Sequence, residues 1–330
     1  MSHQIDMSNN RANMAYVGDV PWHGLGQLVD PDADIDTWKV QAGLNWFIQK
    51  RPLSYPIMNA DGTRGLQVIE NQFAHVRNDT QEIIGTGSDR FQLVQPGDTL
   101  EFFRELVRDS RFTIETAGSL KGGAKIWALA RCNLDLTLGG RDVLKPYLLL
   151  ASANDGTMST VADFTTVRVV CRNTLSMAVG DNGGKAAIKV PHSTKFDADA
   201  VKAELGLIDE RLETFAGNAD TLSEARISDE QAIEFFFNLY AKTDERGNVT
   251  NEKNAKAILS KLMRLYRTGP GAELESARGT AWGAVNAVTN FVDFSTRARS
   301  DENRFNSGQF GNGANLKANA FNSALELVAA

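Results

Sequence analysis

Residues 111–132 read RFTIETAGSLKGGAKIWALARC, and this stretch decides the fold. Apolar and polar side chains alternate over 111–116 and again over 125–132, the period of two that a half-buried strand shows. The segment between, 117–123, holds Gly118, Gly122 and Gly123, so the two runs read as a hairpin. The same pattern recurs on both sides. Residues 66–76 and 82–85 flank an Asn78-Asp79 turn, and 146–152 and 165–172 bracket Asn154-Asp155-Gly156. One helix interrupts, 96–109, with Asp98 or Thr99 as N-cap and Leu100, Phe103, Leu106 and Val107 inward. Paired parallel strands require a helical crossover, and these are nearly absent. The expected class is therefore α+β: a mostly antiparallel, hairpin-rich sheet with one packed helix, followed by a C-terminal helical region.

From about Asp197 the period becomes helical. Val201, Leu205, Ile208, Leu212 and Phe215 mark one helix capped by Asp197. Ser228-Asp229-Glu230-Gln231 has the form of a capping box opening a second. A third over 254–268 stops at Gly269-Pro270-Gly271, and 276–294 and 316–328 supply two more. Residues 295–315, rich in Gly, Asn, Ser and Arg, read as a mobile arm. The organisation expected is a disordered start over 1–13, a β-rich domain over 14–195 and a helical region over 196–330.

The chain has 330 residues, 42% hydrophobic and 23% charged, which is enough to bury a core. Its start is polar, and the densest apolar run, 146–153, is far shorter than the roughly 20 residues a bilayer requires. The expectation is a cytoplasmic protein with no membrane partner. Cys132 and Cys171 each sit in an apolar run, so they read as reduced core thiols rather than a disulfide or a CxxC site.

Motifs for cofactors and catalysis fail on spacing. A P-loop needs GxxxxGK[ST], and the glycine-rich stretches 118–125 and 180–186 break that spacing and lack the hydroxyl residue. Gly24-Leu25-Gly26 lacks the third glycine of a dinucleotide site. His3, His23, His75 and His192 form no HxxxH pair, and His75 reads as the solvated end of a hairpin. No cofactor and no metal is expected, and the reading leans away from an enzyme.

Charge is the sharper signal. Net charge is −6, yet residues 121–195 hold ten Lys or Arg against five Asp, an excess of five positive charges that leaves −11 elsewhere. In 166–172, alternation puts Arg168 and Arg172 on one face and Val167, Val169 and Cys171 on the other. Along 125–131, Lys125, Trp127 and Arg131 share a face, and Lys121 stands just before them. An aromatic beside cations suits single-stranded nucleic acid; Trp127 in the core with Arg131 solvated accounts for the same pattern. In 253–267, Lys253, Lys256, Lys261, Arg264 and Arg267 fall within an arc of about 140° at 100° per residue. Ile258, Leu259, Leu262, Leu265 and Tyr266 take the opposite side. That stripe is a polyanion contact or a solvated face. Arg278, Trp282, Asn286, Thr289 and Asp293 form a further line at helical spacing, read as a buried hydrogen-bonded seam.

Four ordered motifs resemble a known family: Pro21-Trp22-His23-Gly24-Leu25-Gly26, the hairpin of 117–131, Val167-Arg168-Val169-Val170-Cys171-Arg172-Asn173-Thr174-Leu175, and Gly279-Thr280-Ala281-Trp282-Gly283-Ala284-Val285-Asn286-Ala287-Val288-Thr289. Together they resemble the phage/plasmid-like protein family, domain of unknown function 932. The resemblance implies a mobile-element origin and transfers no catalytic residue. A looser similarity, at the level of fold alone, is to phage single-strand annealing proteins. The expected function is a non-catalytic, homo-oligomeric protein that binds single-stranded DNA through these cations. The alternatives are a host-takeover protein meeting an acidic protein and an enzyme with an unrecognised site near His23 or Asp155.

Overall fold

A computed structural model of the chain describes residues 5–20, 24–108, 111–168, 174–176, 188–205, 208–242, 244, 246, 249–299, 303–304, 307–308 and 311–329. In chain order its elements are β1 (Met14–Tyr16), β2 (Gln27–Leu28), α1 (Ile35–Gln41), β3 (Ile48–Met58), β4 (Arg64–Arg77), β5 (Ile83–Ser88), α2 (Pro96–Glu101), α3 (Arg104–Arg108), β6 (Phe112–Leu120) and β7 (Lys125–Cys132). There follow β8 (Leu136–Leu138), β9 (Asp142–Ala153), β10 (Met158–Arg168), β11 (Thr174–Ser176), β12 (Ile188–Val190), α4 (Ala198–Leu205), α5 (Ile208–Glu224), α6 (Asp229–Tyr240), α7 (Glu252–Thr268), α8 (Ala281–Asn290) and α9 (Asn312–Ala329). The class is α+β. The described residues divide into two units, one drawn from 1–133, 148–162 and 188–205, the other from 134–147, 163–187 and 206–330.

In the first unit the opening hairpin forms as β6 and β7, registered from Phe112↔Cys132 to Leu120↔Lys125. Its turn is tighter than the glycines foretell, closing at Lys121–Gly123 with positive φ at all three residues. Gly118 stays in the strand for another reason. A Cβ there would stand 2.6 Å from the Asn13 carbonyl oxygen, because β1 pairs with β6 at Met14↔Gly118. The sheet runs β10-β9-β7-β6-β1-β2; β1 and β2 are parallel, while β1–β6, β6–β7 and β10–β12 are antiparallel. A second sheet runs β3-β4-β5. The Asn78-Asp79 hairpin is its β4–β5 pair, and β3, broken in sequence by Pro52 and Pro56, is the strand that periodicity missed.

The helix expected over 96–109 is corrected in two ways. Its start at Pro96 holds, since proline's fixed φ suits the first helical position, but its N-cap is Gln95 and it breaks into α2 and α3. Phe102 and Phe103 are fully buried between them. The chain start is also corrected: Ile5, Asp6, Ala12 and Asn13 are buried, and Ile5 bridges to Leu120. The anchor is Arg77, itself without exposure. It donates to Asp6 Oδ2 at 2.5 Å, to both Asp79 oxygens at 2.9 and 2.7 Å and to the Gly122 carbonyl at 2.9 Å, with its guanidinium 4.0 Å above Trp46. His75 is not at a solvated end. It is buried, with Nδ1 2.6 Å from the Asn154 carbonyl oxygen, and Asp79 engages Arg77 instead.

The second unit is built from helices, with β8 on the 142–144 end of β9 and β11 on 165–167 of β10. The first helix of the sequence reading is two: Asp197 Oδ1 accepts from the Asp199 and Ala200 amides at 3.0 Å to cap α4, which belongs to the first unit, and α5 follows separately. The Ser228 and Gln231 capping box opens α6. α8 starts later than 276, because Thr280 Oγ1 accepts from the Gly283 amide at 3.1 Å and Gly279 before it holds φ +67°. Phe215 stacks on Phe321 at 5.4 Å, and Trp282, Val285 and Phe236 fill the core beside them.

Candidate nucleic-acid interface

α7 is fixed at both ends by side-chain and backbone chemistry. Asn251, before its first turn, donates to the Tyr240 carbonyl at 2.8 Å and accepts from the Lys242 amide at 2.7 Å, tying α7 to the end of α6. At the other end the Gly269 amide donates to the Leu265 carbonyl at 2.8 Å and Pro270 follows. Ala255, Leu262, Met263 and Tyr266 are buried, and Tyr266 meets Phe236 of α6 edge to face at 6.0 Å. With that face docked, Lys253, Lys256, Lys261, Arg264 and Arg267 are all exposed.

Two of the five are neutralised. Lys256 meets Glu252 one turn back at 2.6 Å, and Arg267 meets Asp229 of α6 at 2.6 Å. All four side chains are more than half exposed, so each pair contributes little stability. Lys253, Lys261 and Arg264 have no ion pair among the described residues. Beside Arg264 and Arg267 lies a shallow open groove of about 520 Å³ between α6 and α7, with Ile233, Leu259 and Met263 as its apolar floor. Ile233 of α6 is 41% exposed there.

The cations of β7 and its turn lie in the first unit. On β7, alternation buries Ile126, Ala128, Ala130 and Cys132 and leaves Lys125, Trp127 and Arg131 half-buried on the other face. That face is partly occupied by the chain's own start: Trp127 packs against Ile5, Ala12 and Met14, and its Nε1 donates to Thr116 Oγ1 at 3.4 Å. Lys121 is exposed on the turn. For Arg168 only the backbone is described, at the end of β10, and Arg172 lies outside the described residues, as do Pro21, Trp22 and His23. Asp155 serves its turn, accepting from the Thr157 amide at 2.9 Å and the Thr157 hydroxyl at 2.6 Å.

Of the line at helical spacing, Trp282, Asn286 and Thr289 on α8 form a buried seam, whereas Arg278 before the helix is exposed and Asp293 after it is half-buried. Asn286 Nδ2 donates to the Trp282 carbonyl at 2.8 Å and Thr289 to the Asn286 carbonyl at 2.9 Å. Two partners, Asp142 and Lys317, were not legible in the sequence, because each comes from far along the chain. Asp142 accepts from Trp282 Nε1 at 3.1 Å and from Ser276 at 2.8 Å, and Lys317 reaches Asp293 at 2.9 Å. Burial pulls the Lys317 amine below its ordinary pKa even with Asp293 and Asp163 near it. Among the described residues no three His, Cys, Asp or Glu side chains gather into a metal cluster, and no helix is long and apolar enough to cross a membrane.

Residues 83–309, more than half of the chain, match the family described as a domain of unknown function, DUF932. The chain belongs to this family. Three of the four motifs lie within the DUF932 segment, and Pro21–Gly26 precedes it. No curated protein and no solved structure matches the chain.

Proposed function

We propose that this DUF932 chain is a non-catalytic DNA-binding protein of phage or plasmid origin that holds single-stranded DNA through the exposed face of α7 inside the bacterial host. The observation that carries the reading is electrostatic. On a chain of net charge −6, one helix docks by its apolar side and turns five cations outward, three of them without an acidic partner among the described residues. Lys253, Lys261 and Arg264 contact phosphates in this reading, and Arg264 and Arg267 flank the groove that takes the bases. Annealing of complementary strands is the activity such binding serves.

A second reading draws on the groove floor. Ile233, Leu259 and Met263 include no aromatic ring for a base to stack on, which favours an acidic amphipathic segment of a partner protein. A gel-shift series with labelled single and double strands at low and moderate salt separates the two. The DNA reading expects a single-strand shift that Lys261→Ala/Arg264→Ala weakens; no shift at low salt rejects it.

A further inference from the structure

β3 and β4 extend beyond their sheet as a two-stranded ribbon. β5 pairs with β4 only over Gln72 to Val76, so the distal ladder is Ser54–Met58 against Arg64–Val68, closed by a turn in which the Asn59 amide donates to the Thr63 carbonyl at 2.8 Å. An isolated two-stranded ribbon is marginally stable in water. This one is apolar on both sides. Pro56, Met58, Leu66 and Val68 share one face, Tyr55, Ile57 and Ile69 the other, and Leu66 is 74% and Met58 67% exposed.

The two edges differ. The Asn59–Thr63 bond places the odd-numbered residues of β4 in the pairs bonded to β3, so Arg64, Leu66 and Val68 turn their N–H and C=O groups outward. On β3 the outward residues are Ser54, Pro56 and Met58, and Pro56 lacks the central donor, which blocks an added strand. The β4 edge has no proline and no strand beside it over 64–70 among the described residues.

We propose that this edge pairs antiparallel with the same edge of a second copy of the chain, about a two-fold axis at Gln67. The sequence Arg64-Gly65-Leu66-Gln67-Val68-Ile69-Glu70 is complementary to its own reverse: Arg64 meets Glu70, Gly65 meets Ile69, Leu66 meets Val68, and Gln67 meets its equivalent. This register matches outward-facing residues with outward-facing residues and sets two Arg–Glu pairs at the ends of an apolar centre. A shift of two residues loses both charge pairs. The ribbon holds only Asp61, Arg64 and Glu70 as charges over 54–70, so it suits a self-complementary neutral partner and not a polyanion. The ribbon belongs to the first unit and α7 to the second, and failure of this pairing leaves the DNA reading untouched.

The test uses the full chain. Gln67 falls at an unbonded antiparallel pair, where Cα atoms stand about 4.5 Å apart, within reach of a disulfide. Gln67→Cys is expected to give a covalent dimer on mild oxidation, and Leu66→Cys, displaced from the axis, several-fold less; the wild type, with its two cysteines, sets the background. In sedimentation velocity, Arg64→Glu is expected to weaken dimerisation at least tenfold and Arg64→Glu/Glu70→Arg to restore it, with circular dichroism unchanged. A wild type that stays monomeric at its highest soluble concentration, equal cross-linking at 66 and 67, or no rescue by the double reversal overturns the proposal.

Discussion

Arg77→Met removes the cation that pairs with the buried Asp6 carboxylate, and breaking a buried pair in this way costs about 3–5 kcal/mol. Denaturant unfolding measures it, and a loss below about 1 kcal/mol contradicts the burial of that pair. The pair also sets a pH dependence. Burial alone raises the Asp6 carboxyl, but hydrogen bonds from Ser8, Asn13 and Arg77 outweigh it, and Arg77 likewise holds Asp79 down. Both folded pKa values are depressed, so their contribution is present above the unfolded carboxylate range near 4 and is lost as pH falls through the folded values. Thermal midpoints from pH 6 down to pH 2 should drop in the wild type and drop less in Arg77→Met. The shift at Lys317 is a penalty on the charged form rather than a gain, and here too stability rises with pH. Its folded pKa is below the unfolded value of about 10.4, so Asp293→Asn should be destabilised at neutral pH and recover as pH rises towards that value. None of these partners was legible from sequence, since Asp6 and Arg77, or Asp293 and Lys317, are joined only by the fold. His75 was misread for the same reason: its partner, the Asn154 carbonyl, lies on another hairpin.

Elements were easier to read where periodicity and caps agree. The β6–β7 hairpin, the Ser228 capping box and the Gly269 stop of α7 all follow from local chemistry. β3 and α1 escaped, β3 because two prolines break its alternation and α1 because seven residues give less than two full helical repeats. The stripe on α7 was legible as an arc of cations. The acids that neutralise part of it were not, because Asp229 arrives from α6 and Glu252 stands just ahead of the stripe. Glu252→Gln frees Lys256, so single-strand affinity measured by filter binding should rise a few-fold at low salt; a fall contradicts a phosphate role for this face.

At the scale of the whole molecule, a net charge of −6 disfavours a polyanion everywhere except where cations concentrate. The cations named from the sequence divide between the two units, with Lys121, Lys125 and Arg131 in the first and the α7 set in the second. Under the proposed function, binding therefore rests on α7 as a local site. Fluorescence anisotropy of a labelled single strand across a salt series tests this most directly. Log affinity should fall linearly with log salt, and Lys261→Ala/Arg264→Ala should reduce the slope by about 1.4, at roughly 0.7 per phosphate contact. An unchanged slope in that variant, or no binding by the wild type at the lowest salt, contradicts the account.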